Sequence, residues 1–376
     1  MNILIAMDSF KGSMDAKTAT YTIKDALHGV NENFTLTALP IADGGEGTLE
    51  TLIDSSNGQR HRVPVHNPLM HPVEASYGII NTTTAVIEMA EASGLTLISE
   101  TERSPLHTTT YGTGELIRHA LDAGIRDFVI GIGGSATNDG GMGMLEALGY
   151  RFIDAQGSTL HPVGAALNDV AHIDGKSADP RLKDATFTVA CDVSNPLYGP
   201  NGAAYVYGPQ KGATKDMLHR LDEGLKHFHG LMAAHTGVQS ATIPGGGAAG
   251  GLGSALYSFL NADLKSGISI VFDTLDIHTH IMNNDLIITG EGRIDAQTLM
   301  GKGPGEIAKL ARRNNKPCLG IAAAITEDAY EANEAMTAMF SIANATHTQR
   351  EMMHESIART LLRRTVHALF SLHLNI

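Results

Sequence analysis

Residues Asp127 to Met144 constrain the fold of this chain more than any other stretch. Phe128 to Ile132 is a short apolar, β-branched run of the kind that forms a buried parallel strand. It breaks at Gly133-Gly134, offers Ser135, Thr137, Asn138 and Asp139, and passes Gly140-Gly141 before an apolar helical pattern resumes over Met142 to Leu148. A strand that empties into a glycine-dense polar loop at the mouth of a helix is an α/β device. Backbone N–H groups at such a place can hold an anion, because no Cβ blocks the approach and the helix terminus favours negative charge.

Two ligands compete for that loop. Gly131-x-Gly133-x-x-Ala136 fits a dinucleotide fingerprint, and Asp154 follows about twenty residues on, as an NAD-dependent dehydrogenase of a small hydroxy acid would require. Against it, Asn138-Asp139-Gly140-Gly141 is turn-forming where the helix should already have begun. A carboxylate beside a pyrophosphate also repels it unless a metal lies between. The composition therefore favours phosphate with Mg²⁺ over NAD. The bland alternative is a tight strand-to-helix turn without a ligand, but the four glycines Gly133, Gly134, Gly140 and Gly141 in the loop exceed what a turn needs.

With 376 residues the chain is longer than one core usually organises, so two domains are expected. A net charge of −13 argues against a nucleic-acid or anionic-membrane surface. No apolar run reaches the length of a membrane span, and the start is no signal peptide. Cys191 and Cys318 lie in apolar runs and read as buried free thiols, which points to the cytoplasm. Oligomeric state is left open, with a homo-oligomer compatible.

Along the chain, Ile3 to Met7 and Phe34 to Ile41 read as strands, each followed by a polar loop and a helix. Between Gln59 and Met89 the pattern alternates with period two through Val63, Val65, Val73, Ala75, Tyr77 and Ile79, which reads as antiparallel strands. Plain βαβα returns at the end, through Leu286 to Thr289, Pro317 to Ala322, Met339 to Ile342 and a closing helix over Arg350 to His367. The expected architecture is α/β. Residues 1–60 and 285–376 form a discontinuous parallel domain, and 61–284 form an inserted mixed-sheet domain.

Carboxylates recur at strand ends: Asp8, Asp43 with Glu46, Asp139, Asp192, and Glu291 with Asp295. The cations near them are Lys11, Arg293 and Lys302. Carboxylates that hold Mg²⁺, with cations and glycine amides around phosphates, are the equipment of phosphoryl transfer. Any one of these carboxylates could be only an N-cap, so the signal is their recurrence. No P-loop, His-Arg-Asp or Asp-Phe-Gly motif is present, so a nucleotide fold of another design is required.

Asp8 to Ser13, Ala42 to Thr48, Gly131 to Gly143, Pro244 to Gly253 and Thr289 to Asp295 together resemble the bacterial glycerate kinases, nearly from end to end of the chain. The resemblance implies ATP-dependent phosphorylation of D-glycerate to 2-phosphoglycerate or 3-phosphoglycerate. It also implies a flavodoxin-like domain and a second resembling restriction endonucleases, with the active site in the cleft between. From chemistry, the expected catalytic set is Asp139, Asp192 and Lys11. Ligand contacts are expected from Asp8, Ser9, Asp43, Gly44, Gly45, Glu46, Gly133, Gly134, Ser135, Asn138, Gly245, Gly246, Gly247, Glu291, Arg293, Asp295 and Lys302. Asp43, Glu46 and Asp295 are the expected metal ligands. Asp139 is expected to act as base or metal ligand, so that Asp139→Asn would keep the fold and lose turnover.

Overall fold

The residues Ile3 to Met7 are all fully buried in a computed structural model that describes residues 1–41 and 48–373. A strand apolar on both faces must lie inside a sheet covered on both sides. That strand is β1 (Asn2–Met7), and β2 (Thr35–Ala38) follows it. The chain then leaves for β3 (Gln59–His66), β4 (Pro72–Ile80), β5 (Thr84–Glu88), β6 (Asp127–Gly131), β7 (Arg151–Ile153), β8 (His172–Asp174), β9 (Thr186–Ala190) and β10 (Asp263–Lys265). It returns through β11 (Leu286–Gly290), β12 (Arg293–Ile294), β13 (Cys318–Ala322), β14 (Ala324–Ile325) and β15 (Ala338–Ser341).

These strands belong to two compact units, Met1–Ser55 with Ile268–Ile376, and Ser56–Gly267. The sequence reading puts the crossings at 60 and 285. The second falls earlier because the helices Gly267–Thr274 and Ile277–Asn283, unassigned in that reading, lead into the first unit, where the latter packs on β1.

The first unit is a five-stranded sheet in the order β15-β13-β11-β1-β2, with every neighbouring pair parallel. Ranked by their place in the chain, these strands lie 2-1-3-4-5, the flavodoxin-like winding. The helix Ala16–Val30 starts where the Asp15 side chain accepts from the Thr18 N–H at 2.6 Å, and it packs on the helix Glu355–His373. Ile23 and Leu27 from one meet Leu361, Leu362 and Val366 from the other over Ile3 and Ile5. The closing segment is two helices rather than one, Gln349–Met352 and Glu355–His373, and the first has a Thr348 and Glu351 capping box.

The second unit is a mixed sheet in the order β10-β9-β6-β5-β4-β3. β3, β4 and β5 are antiparallel neighbours, as the period-two alternation requires, while β5, β6, β9 and β10 run parallel. Phe128 stacks on Phe187 at 4.8 Å across β6 and β9, and Phe152 meets Phe228 at 5.6 Å, in one continuous core.

Candidate active site

In the first unit, winding reverses between β1 and β11, and ligands of open α/β sheets bind outside the carboxyl ends of the strands at such a switch point. Met7 pairs with Gly290 at the last step of the register, and the Asp8 N–H donates to the Gly290 carbonyl at 2.8 Å. The next residues on the two strands are Asp8 and Glu291, buried to 4% and 5% exposure. The Gly292 N–H donates to the Ser9 carbonyl at 3.2 Å, and a Cβ on Gly292 would come within 3.2 Å of the Lys11 nitrogen. A side chain there would press on the backbone of Phe10 and Lys11, so the two strand ends approach closely at Gly292. Two buried carboxylates, Ser9 and the exposed Lys11 are thus gathered at one point.

Arg293 is exposed, with its Nε 4.0 Å from Asp295 Oδ2. Asp295 caps the helix Ala296–Leu299 by accepting from the Thr298 N–H at 3.0 Å, which commits Oδ1 to structure. Lys302 is half-buried at the N-cap position of the helix Gly303–Arg313. Asp43, Gly44, Gly45 and Glu46 lie outside the described residues. Among the described residues no three His, Cys, Asp or Glu side chains form a group able to hold a metal. Mg²⁺ commonly takes one or two protein carboxylates and completes its shell with water and substrate phosphates. The hard oxygen donors of Asp8 and Glu291 fit that use better than a resident metal cage.

The second unit builds its own cluster. Glu88, Gly131, Ala190 and Lys265 pair successively at the carboxyl ends of β5, β6, β9 and β10. Just beyond them stand the exposed Gly133-Gly134 tip and the exposed Asp192, whose Oδ1 accepts from the Gly267 N–H at 3.0 Å. Gly134 has φ +70, which a side chain resists, but Gly133 has neither a positive φ nor any atom within 4 Å of an added Cβ. Packing does not require glycine at 133, so that position is open to a ligand.

Asp139 is fully buried, and its carboxylate is surrounded by its own unit. Oδ2 accepts from the Thr110 N–H at 2.7 Å, the Thr110 hydroxyl at 2.8 Å and the Gly143 N–H at 3.1 Å, while Oδ1 accepts from the Gly141 N–H at 3.1 Å. The Met142 N–H goes to the Asp139 carbonyl at 3.0 Å and the Met144 N–H to Thr110 Oγ1 at 2.9 Å. Gly141, Met142, Gly143 and Met144 N–H, the donors at the mouth of the helix Met142–Ala147, are therefore all used internally. The sequence expectation of an external anion here meets a physical obstacle: the anion at this helix mouth is the protein's own carboxylate. Burial pushes the Asp139 pKa up against the pull of the Thr110 N–H and hydroxyl and the Gly141 and Gly143 N–H groups, which donate to the carboxylate.

The second glycine-dense loop is likewise accounted for by packing. Gly245, Gly246 and Gly247 are buried, and a Cβ on Gly247 would meet the Pro196 carbonyl. Ala249, Gly250 and Gly251 all have positive φ, and a Cβ on Gly250 would strike the backbone of Thr137 and Asn138. The Gly140 N–H donates to the Gly250 carbonyl at 3.0 Å, so the two glycine loops clasp each other. Inside the clasp, Thr137 Oγ1 and both amide atoms of Asn138 are buried with no hydrogen-bond partner among the described residues. Each such group costs about 1–3 kcal/mol unless water or a ligand satisfies it.

Sequence reasoning missed Lys211. It is 1% exposed, and its Nζ donates to Ser135 Oγ at 2.7 Å and to the Thr137 carbonyl at 2.6 Å. Burial lowers its pKa to about 7, while the Asp139 carboxylate favours the charged form. Pro209-Gln-Lys211-Gly gives no hint of this. Asp154 closes a turn by accepting from the Gln156 and Ser158 N–H groups at 2.9 and 2.8 Å. It follows the short antiparallel strand β7 and not a parallel neighbour of β6, so the dinucleotide reading has no structural support.

The glycerate kinase family model matches residues 3–374. Glycerate kinase of Bacillus subtilis (strain 168) is 49% identical over 344 residues, 91% of this chain and 90% of that protein. Glycerate 2-kinase of Escherichia coli (strain K12) is 45% identical over 353 residues, 93% of each. A crystal structure from Salmonella typhimurium LT2, assigned as a glycerate kinase 2, superposes with a TM-score of 0.89 at 44% identity, covering 100% of this chain and 98% of that one. A flavodoxin-like switch point lined by carboxylates, and relatives matched over almost their full length, lead to one conclusion: the chain belongs to the glycerate kinase family of phosphotransferases.

Proposed function

We propose that the chain uses ATP with Mg²⁺ to phosphorylate D-glycerate, and that the product is 2-phosphoglycerate. The reading rests most on the placement of Asp8, Glu291 and Lys11 around the β1/β11 switch point. The name of the Escherichia coli relative, glycerate 2-kinase, favours the 2-phosphate. In this reading Lys11, Arg293 and Lys302 neutralise carboxylate and phosphate charge, because phosphoryl transfer is mostly positioning and electrostatics. Asp8 and Glu291 would hold the Mg²⁺, which would supply positive charge to offset that of the phosphates. The glycerate hydroxyl oxygen bonds to the γ-phosphorus, the bond from that phosphorus to the β,γ-bridging oxygen breaks, and ADP leaves.

The hydroxyl proton needs an accepting carboxylate with an accessible oxygen. Asp192 is exposed, whereas Asp139 is fully buried with both oxygens accepting from groups inside the protein. We assign Asp192 to the proton and Asp139 to the scaffold of the loop. Gly133 and Gly134 present backbone to the ligand. Such a reaction belongs where ATP is made and used, in the cytoplasm; among the described residues no helix is long and apolar enough to cross a membrane. Incubation with ATP, Mg²⁺ and D-glycerate, followed by ³¹P NMR against both phosphoglycerates, tests the proposal. It expects the 2-phosphate signal; the 3-phosphate would overturn the regiochemistry, and no phosphoglycerate would overturn the reaction.

A further inference from the structure

We infer that Lys211 is a positioning residue for the phosphoryl transfer, acting through Ser135 and Thr137 to fix the loop that follows β6. The inference rests on the reading that this loop faces a substrate.

Lys211 reaches the loop from the segment Pro209–Lys211, and its two acceptors bracket Ala136. Ala136 is held from other directions, its N–H donating to the Ser93 carbonyl at 2.9 Å and its carbonyl accepting from Thr108 Oγ1 at 2.9 Å. The exposed Gly133-Gly134 tip is thus attached to a segment whose next three residues are fixed. Lys211 is itself anchored, since Gly212 has φ +88 and an added Cβ there would meet the Arg103 carbonyl. Glycines at 133 and 134 leave the tip with little stiffness of its own, so its shape must be imposed from outside.

A lysine is a costly choice for a purely structural tie. Taking an amine out of water is unfavourable, and an apolar side chain of the same volume would pack there more cheaply. What a methionine cannot do is donate to Ser135 and Thr137 together. The bond to Ser135 turns its hydroxyl hydrogen away from Nζ, because its oxygen is the acceptor there. A misplacement of the order of 1 Å in a substrate-holding loop can cost about a hundredfold in rate.

The test compares Lys211→Met, Ser135→Ala, the double variant and Gly133→Ala in steady-state kinetics with D-glycerate and Mg·ATP, alongside melting temperatures. Lys211→Met should lower kcat/KM at least about tenfold at temperatures where it is fully folded. The double variant should be no worse than the poorer single one, because both remove the same contact. Wild-type kinetics in folded Lys211→Met would overturn the inference, as would fully additive losses. If Lys211→Met does not fold, Ser135→Ala decides: a tenfold loss supports the tie and wild-type kinetics overturns it. Gly133→Ala separates the underlying reading, since its Cβ enters open space and should raise KM for one substrate only if the loop faces it. An unchanged KM there would sink that reading and leave the Lys211 results to be judged as structural.

Discussion

The Asp8 N–H donates to the Gly290 carbonyl at 2.8 Å, so β1 and β11 end together with a buried carboxylate residue immediately beyond the tie on each strand. β1 opens the chain, whereas β11 is reached only after the whole second unit has been threaded. The chemistry proposed for the enzyme depends on that pairing, because one or two carboxylates at a strand end suffice for a Mg²⁺ that arrives with its nucleotide.

Magnesium dependence follows. Excess chelator should abolish ADP formation, and added Mg²⁺ should restore it. Because the described residues form no three-donor cage, chelation should leave the melting temperature where it was. Full activity in chelator, measured by ADP release, would contradict the metal role.

Asp139→Asn should destabilise the protein, contrary to the expectation drawn from sequence alone. Three donors converge on Oδ2 and one on Oδ1, so an amide in place of either oxygen loses an acceptor and buries an N–H₂ against another donor. The cost should be about 1–3 kcal/mol in a denaturant titration. Activity per folded molecule, assayed well below the melting transition, should fall less than for Asp192→Asn.

Lys211 should impose a pH dependence on stability. Its folded pKa lies near 7, below the 10.5 of a free lysine, so the unfolded chain binds the extra proton between those values. The cost of burying the ammonium is fully present below pH 7 and is relieved as pH rises above it. Wild type should therefore gain on Lys211→Met by about 1 kcal/mol per pH unit from pH 7 towards 9. A stability difference that stays flat across that range would show that Lys211 titrates elsewhere.

The parts of this fold legible in sequence are those written locally. Ile3 to Met7 reads as a two-sided buried strand, and Val63 to Ile79 alternates because one face of β3 and β4 is covered. The helices Gly267–Thr274 and Ile277–Asn283 are not legible in the sequence, because each spans only about two turns. Asp139 shows why site residues are harder. Among glycines it has the pattern of a ligand-binding carboxylate, but two of its donors come from Thr110, 29 residues earlier at the N-cap of the helix Tyr111–Asp122, and no local pattern records them. Gly250 is similar: its missing side chain makes room for Thr137 and Asn138, a contact made by folding. Lys211 left no trace because its partners lie 76 and 74 residues away.

The most direct test of the β1/β11 site is the kinetics of Lys11→Met. Lys11 is exposed, so losing it should change stability by no more than about 0.5 kcal/mol. If its charge faces the phosphates at the switch point, kcat/KM for D-glycerate phosphorylation should fall by ~10² or more with the melting temperature unchanged. Wild-type kcat/KM in the folded variant would contradict the placement of the reaction at Asp8, Lys11 and Glu291.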